Sequence, residues 1–264
     1  MFMKKIFAFF LAVLSGLSLC SCSGNKTGAS SGKISLPEGK RPNILALGDS
    51  IAAGYGLESQ DDNYLSIFSE NIGGVLQNDA VSGYDSADLL TLVSSGRLSQ
   101  DIANADVIII SIGGNDLLHN NELLVSTLKN AYLKGGEFFP EEVKKIYSDF
   151  ESNLASVLDL LRSKNKNAPI ILQTLYNPAE KQGYKIAVVN VGKLVNKYID
   201  LLNETVFNIC NGRENVFVFD VAPIMNKDAD NFYNLQSKLD IHPTKKGHQT
   251  LSEIFTEEFN KLTN

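Results

Sequence analysis

Apolar residues in this chain fall into two kinds of pattern that take turns along it. Short blocks occur at Ile44–Leu47, Val107–Ile112 (broken only by Ser111), Ile170–Leu172 and Val216–Phe219, and a weaker one at Val75–Val81 is interrupted by Gln77, Asn78 and Asp79. Blocks of that length, rich in β-branched residues and bounded by Gly, Pro or Asn, are the mark of strands covered on both faces, as in a parallel sheet. Between the blocks, apolar residues recur every three or four positions. Tyr64, Ile67, Phe68 and Ile72 do so, as do Leu89, Leu90 and Val93. Longer stripes run from Val143 through Ile146, Phe150, Leu154 and Val157 to Leu161, from Val188 through Val195 and Leu202 to Ile209, and from Leu251 through Phe255 to Leu262. That is amphipathic helix spacing. Asp85 or Ser86 is placed to cap one helix, and Pro140-Glu141-Glu142 opens another with the residues a first turn favours. Strand and helix alternate throughout, which predicts an α/β fold: a three-layer α/β/α sandwich around a central parallel sheet of about five strands. Residues 42–264 show no repeat, linker or change of composition and read as one domain. Residues 117–139 have a weaker pattern, and Leu117, Leu118, Phe138 and Phe139 are candidates for an apolar rim or a cap over a groove.

The N-terminus follows neither pattern. Lys4 and Lys5 precede an apolar run from Ile6 to Leu14, the layout of a secretory signal and too short to span a bilayer. The run ends in Leu19-Cys20-Ser21-Cys22-Ser23, which resembles a bacterial lipobox, where a cysteine following a small residue takes a diacylglycerol. Cys22 fits, with Ser21 before it and Leu19 three back; Cys20 fits less well because bulky Leu19 would fill the small-residue position. The alternative is an ordinary cleaved signal whose cysteines have no role. Residues 1–21 are thus read as a signal peptide and 22–41, rich in Ser, Gly, Lys and Pro, as a flexible lipidated tether. The expected location is the outer face of a bacterial membrane, to which a lipid anchor would hold the exported chain.

Composition narrows the function classes. Hydrophobic residues are 44% and charged residues 20% of 264 positions, enough for a sizeable core. The formal net charge is −6; removal of Lys4 and Lys5 lowers Lys+Arg from 24 to 22 against 30 acids, a net charge of −8. No basic patch stands out, so nucleic acid is not an expected partner. Of three cysteines, Cys210 alone lies beyond the N-terminal pair, in an apolar helical stripe where a core role is expected and an internal disulfide is not.

Three of the predicted strands end in sharp polar turns, and in a parallel sheet those turns share one edge, where ligands sit in open α/β folds. The first is Gly48-Asp49-Ser50, the second contains Gly83, and the third is Gly113-Gly114-Asn115-Asp116. Ser50 could be a nucleophile, or a turn serine capping the next helix, which on the tripeptide alone is the commoner role. A serine hydroxyl needs a neighbouring base. His242 is the candidate: it sits in the polar loop Lys238-Leu239-Asp240-Ile241-His242-Pro243, just before the last helix, with a carboxylate two residues away. Asp49 reads as a turn and cap residue, Asp116 as a cap for the segment after Asn115, and His119 and His248 as solvated or satisfied surface groups. Tyr55 and Tyr84 suit either a pocket lining or aromatic packing. Asp49, Asp116 and Asp240 lack the His/Cys spacing of a zinc site, so neither metal nor cofactor is expected.

Taken in order, Gly48-Asp49-Ser50, Gly83, Gly113-Gly114-Asn115-Asp116 and His242-Pro243 resemble the motifs of the SGNH/GDSL hydrolases, and the run Gly48–Leu57 is similar to their thioesterase/lysophospholipase-like branch. The resemblance spans about all of 42–264. It implies a flavodoxin-like fold, a Ser50 nucleophile, a His242 base, and an oxyanion hole made by the backbone N–H groups of Ser50 and Gly83 and the side-chain amide of Asn115. It also places the third triad carboxylate three residues before the histidine, where this chain has Leu239. Either Asp240 reaches His242 from two residues away, or a backbone carbonyl orients the ring. The implied activity is a serine esterase or acylhydrolase acting through an acyl-enzyme on a lysophospholipid, another acyl lipid or an O-acetylated glycan. A lipid-anchored binding protein using the same groove without chemistry is the alternative.

Overall fold

The unbroken apolar run Ile44–Leu47 has no polar side because both of its faces are covered. Leu45 and Leu47 join one buried cluster, Ile44 and Ala46 the other, as the two-residue period of a strand requires. The structure, a computed structural model, describes residues 32–119, 141–179, 185–186, 189–234 and 240–263. Its elements in chain order are β1 (Asn43–Gly48), α1 (Ser50–Ala53), α2 (Tyr64–Asn71), β2 (Val75–Asn78), α3 (Ser86–Ser94), α4 (Ser99–Asn104), β3 (Val107–Ser111), α5 (Gly114–Leu118), α6 (Glu141–Lys164), β4 (Ile170–Gln173), β5 (Lys185–Ile186), β6 (Val189–Asn190), α7 (Val191–Cys210), β7 (Val216–Phe219), α8 (Ala222–Met225), α9 (Ala229–Phe232), β8 (Tyr233–Asn234), β9 (Asp240–Pro243) and α10 (Lys245–Thr263).

The central sheet has five strands in the order β2-β1-β3-β4-β7, and all four pairings are parallel. This is the flavodoxin-like order, whose switch point lies between β1 and β3. The register pairs Gly48 with Ser111, so the turns after these two strands leave the sheet side by side. One face of the sheet packs on α3, α4, α6 and α7 through residues such as Leu89, Phe150, Leu154, Val157 and Leu202; the other packs on α2 and α10 through Tyr64, Phe68, Leu251, Phe255 and Phe259. Phe68, Phe219, Phe255 and Phe259 meet edge-on, with ring centroids 5.1 to 5.7 Å apart. Cys210 is buried in the first cluster as its stripe suggests, and burial pushes its thiol up to about 12.

Local chemistry explains most boundaries. Asp85 caps α3, accepting from the N–H groups of Ala87 and Asp88 while Asp88 answers to the Asp85 N–H. β2 ends at Asn78, short of the expected Val81, and is half polar because as the edge strand it pairs only with β1. The helix expected from Val188 begins instead at Val191, since the chain first turns through the antiparallel pair β5–β6. Val188 itself, Leu239, most of 117–139, Pro140 and the N-terminal segment with Cys22 lie outside the described residues. Ile34 is buried against the α10 face and donates its N–H to the Leu262 carbonyl at 2.9 Å, so packing begins before Asn43.

Candidate active site

β1 ends where its neighbour allows no side chain. Gly48 has a φ of +140°, and a Cβ there would lie 2.0 Å from the Ser111 carbonyl oxygen; only glycine fits. The chain then turns into α1. Asp49 is its N-cap and accepts from the Ile51 N–H at 2.9 Å, the cap role its position suggests. Ser50 follows as the first helical residue, so its own N–H lies among the amides that have no intrahelical acceptor. Turn 81–84 is stitched to the same edge: the Val81 N–H donates to the Gly48 carbonyl and the Tyr84 N–H to that of Val81. The Asn115 amide donates to the Tyr84 carbonyl at 2.8 Å. One of its two N–H groups is thereby engaged and orients the other. At Gly83, φ is +88° and a Cβ would meet nothing within 4 Å, so this turn faces open space.

The second half of the site arrives from the far end of the chain. β8 and β9 form a short antiparallel pair in which Tyr233 faces Pro243 and Asn234 faces Asp240. In an extended strand residues i and i+2 project to the same face. Asp240 therefore shares a face with His242, and Leu239 is not required. The Asp240 carboxylate Oδ1 lies 2.6 Å from His242 Nδ1 and also accepts the His242 backbone N–H at 3.0 Å. The other ring nitrogen, Nε2, lies 2.9 Å from Ser50 Oγ. Of the two ways of orienting His242, the structure has the carboxylate. Stacking of Tyr176 on Tyr233, centroids 4.8 Å apart and planes 21° apart, supports this hairpin from beneath.

Burial sets the electrostatics around these groups. Asp49 is 2% exposed. Desolvation chiefly, and the nearby Asp116, push its carboxyl up to about 7 despite the Ile51 bond. Asp116 is also raised by desolvation, against the bonds it receives from Ser86. Asp116 is not the local cap that its place after Asn115 suggests. It lies inside α5 and accepts the Ser86 N–H at 3.0 Å and hydroxyl at 2.5 Å, joining α5 to α3. His119 is exposed near Asp85, as expected. His248 departs from its surface reading: it is 0% exposed, its Nδ1 accepts the Tyr64 N–H at 3.3 Å, and its Nε2 has no partner among the described residues. Desolvation first, then His242, lower it to about 4, so it is neutral near pH 7. Its place four residues before Ser252 and three before Leu251, on the apolar stripe of α10, was the available signal. Among the described residues no three His, Cys, Asp or Glu groups gather as a metal site would need.

A hydroxyl, an imidazole and a carboxylate in a line, beside a turn of helix-start and side-chain N–H donors, can transfer a proton and stabilise an oxyanion. The family model of the GDSL-like lipases/acylhydrolases matches residues 46–250, from β1 into α10. The chain belongs to this family. As a GDSL-like acylhydrolase it is an ester-bond hydrolase. It is 22% identical over 259 residues to an uncharacterised Bacillus subtilis (strain 168) protein, YpmR, covering 94% of this chain and 93% of that one. It is 21% identical to the spore germination lipase LipC of Bacillus licheniformis, over 79% of this chain and 92% of LipC. The crystal structure of the lipase Lip_vut3 from a goat-rumen metagenome superposes with a TM-score of 0.65 at 20% identity, covering 82% of this chain and 96% of that one. At such identity the structural likeness carries the fold.

Proposed function

We propose that this GDSL-like hydrolase is a serine esterase that works through an acyl-enzyme. The observation that carries the reading is the 2.9 Å contact between Ser50 Oγ and His242 Nε2, with Asp240 on the opposite ring nitrogen. In the first half-reaction Ser50 Oγ bonds to the ester carbonyl carbon while His242 takes the hydroxyl proton and the carbonyl π pair moves onto oxygen. The N–H groups of Ser50, Gly83 and Asn115 receive that oxyanion. The carbonyl re-forms, the C–O bond to the leaving alcohol breaks, and His242 hands the alkoxide its proton. Water then repeats the sequence on the acyl-Ser50 ester and releases the acid. Asp240 holds the ring so that Nδ1 keeps its proton and Nε2 faces the serine.

The substrate is an acyl ester: a lysophospholipid or other acyl lipid, or an O-acetylated glycan. In this proposal Cys22 carries the lipid anchor of an exported chain. Ile34 is docked on the last turn of α10, whereas His242 stands just before its first. Nineteen helical residues separate those ends, about 28 Å at 1.5 Å per residue. An anchor reaching the domain through Ile34 therefore meets it at the pole away from Ser50. The test is a p-nitrophenyl acetate assay with a fluorophosphonate probe. Wild-type protein should turn over the ester and be labelled at Ser50, and Ser50→Ala should do neither while unfolding at the same temperature. A purely ligand-binding protein would take no label.

A further inference from the structure

Tyr55 is 55% exposed, whereas Tyr64, Tyr176 and Tyr233 are buried. Its exposure has a cause in the backbone. Gly54, at φ +70°, ends α1, and a Cβ there would lie 2.6 Å from Asn63 Nδ2. That amide is fully buried and committed, donating to the Ala52 carbonyl at 2.8 Å while its oxygen accepts the Leu65 N–H. The Tyr55 N–H closes back on the Ser50 carbonyl at 3.0 Å, and Gly56 turns the chain again at φ +85°. Two left-handed glycines and a rigid asparagine thus hold an aromatic ring out from the core. What it meets there is His242: the ring centroids are 4.5 Å apart, with planes tilted by 45°.

We propose that Tyr55 is a positioning residue for the base, holding the His242 ring toward Ser50 and stabilising the imidazolium that exists while the proton is in transit. The inference rests on the esterase reading. In each half-reaction His242 is neutral before the proton moves and cationic afterwards. A cation within about 6 Å of an aromatic centroid is attracted by the ring quadrupole, and the neutral ring much less so, so the contact strengthens where charge develops. Among the described residues, the other groups around His242 come from three elements. Asp240 holds Nδ1 from its own hairpin, Ser50 faces Nε2 from α1, and neutral His248 lies behind from α10. The Lys245–Asp62 pair at the start of α10 is closed on itself at 2.8 Å.

The experiment compares Tyr55→Phe and Tyr55→Leu with wild type in the full chain, using pH profiles of kcat/KM on p-nitrophenyl acetate and p-nitrophenyl octanoate. Phenylalanine keeps the aromatic face, and its variant should stay within about twofold of wild type. The leucine variant should be roughly threefold to fivefold slower at the plateau on both esters, with the acid limb moved about half a pH unit lower. A leucine variant equal to wild type overturns the inference. So does one that is slower with an unmoved acid limb, which would make the ring simple packing, or one impaired on the octanoate ester alone, which would make it an acyl contact. Absence of turnover by wild type would sink the esterase reading and this inference with it; a wild-type profile matched by leucine sinks only this one.

Discussion

Two amides near opposite ends of β4 are treated in opposite ways. Upstream of the strand, buried Asn165 makes four bonds: its Nδ2 donates to the carbonyls of Ile102 and Ala105, and its oxygen accepts from the N–H groups of Asn167 and Ala168. Beside it the Arg162 guanidinium donates to the carbonyls of Asn165, Lys166, Ala168, Glu214 and Asn215. At the downstream end Gln173 is 3% exposed, and neither of its side-chain polar atoms has a partner among the described residues. The same edge holds the Tyr176 hydroxyl and the His248 Nε2, which have no hydrogen-bond partner among the described residues, with a buried carboxyl raised to about 7 at Asp49. Buried polar atoms without partners cost about 1–3 kcal/mol each. The edge away from the site is built for stability, and the edge that carries Ser50 and His242 holds buried polar groups with no protein partner among the described residues. Proteins concentrate such costs where function needs polar groups in place.

That contrast can be broken at three points. The largest effect is expected for Asp240→Asn, which preserves shape but lets the ring reverse its proton arrangement. Turnover of p-nitrophenyl acetate should fall by about 10⁴-fold, the scale seen when a triad aspartate is made asparagine, with unchanged unfolding. Activity within tenfold of wild type would mean that another group orients His242.

Next comes Asp49→Asn, which keeps the acceptor for the Ile51 N–H and removes the charge. A carboxyl raised in the fold contributes stability fully below its unfolded value, near 3.8, and loses it as pH rises through about 7. The difference in unfolding free energy between variant and wild type should therefore shift by about 4 kcal/mol in favour of the variant from pH 4 to pH 8, at ~1.36 kcal/mol per pH unit. Reading the difference matters because His248, lowered to about 4, acts in the opposite sense: its contribution is present above about 6.5 and lost as pH falls through 4. A difference flat with pH would mean that Asp49 is ionised at little cost.

The smallest effect belongs to the opposite edge. Arg162→Met should lower stability by about 2–3 kcal/mol, the scale of hydrogen bonds from a charged donor, read from the urea midpoint. The kcat of the folded enzyme should be that of wild type. A fall in kcat comparable to that of Asp240→Asn would show that the two edges are not independent.

Much of this fold could be read along the chain because its main strands are covered on both faces. Ile44–Leu47 and Val107–Ile110 are apolar throughout for that reason. Local pattern misleads where the deciding neighbour is distant in sequence or where apolar spacing runs on with no boundary signal. The start of α7 at Val191 is marked by no break in apolar spacing, because the stripe read along the chain already runs through Val188. Asp116 seemed a local cap because its partner, Ser86, belongs to another helix. His248 seemed a surface group because it is polar, although its spacing with Leu251, Ser252 and Phe255 put it on the buried face. The Gly-Tyr-Gly run was visible, but not the ring that Tyr55 would meet.

Periodicity is a local property, and the order of residues alone determined the alternation of strands and helices, the polar turns at strand ends and the presence of a hydroxyl, an imidazole and a carboxylate. Which of these meet was decided only in three dimensions. The order β2-β1-β3-β4-β7 sets the turns after β1 and β3 side by side, and the β8–β9 hairpin returns His242 to a serine 192 positions earlier. Its extended backbone, with side chains alternating from face to face, is what lets Asp240 serve from two residues away.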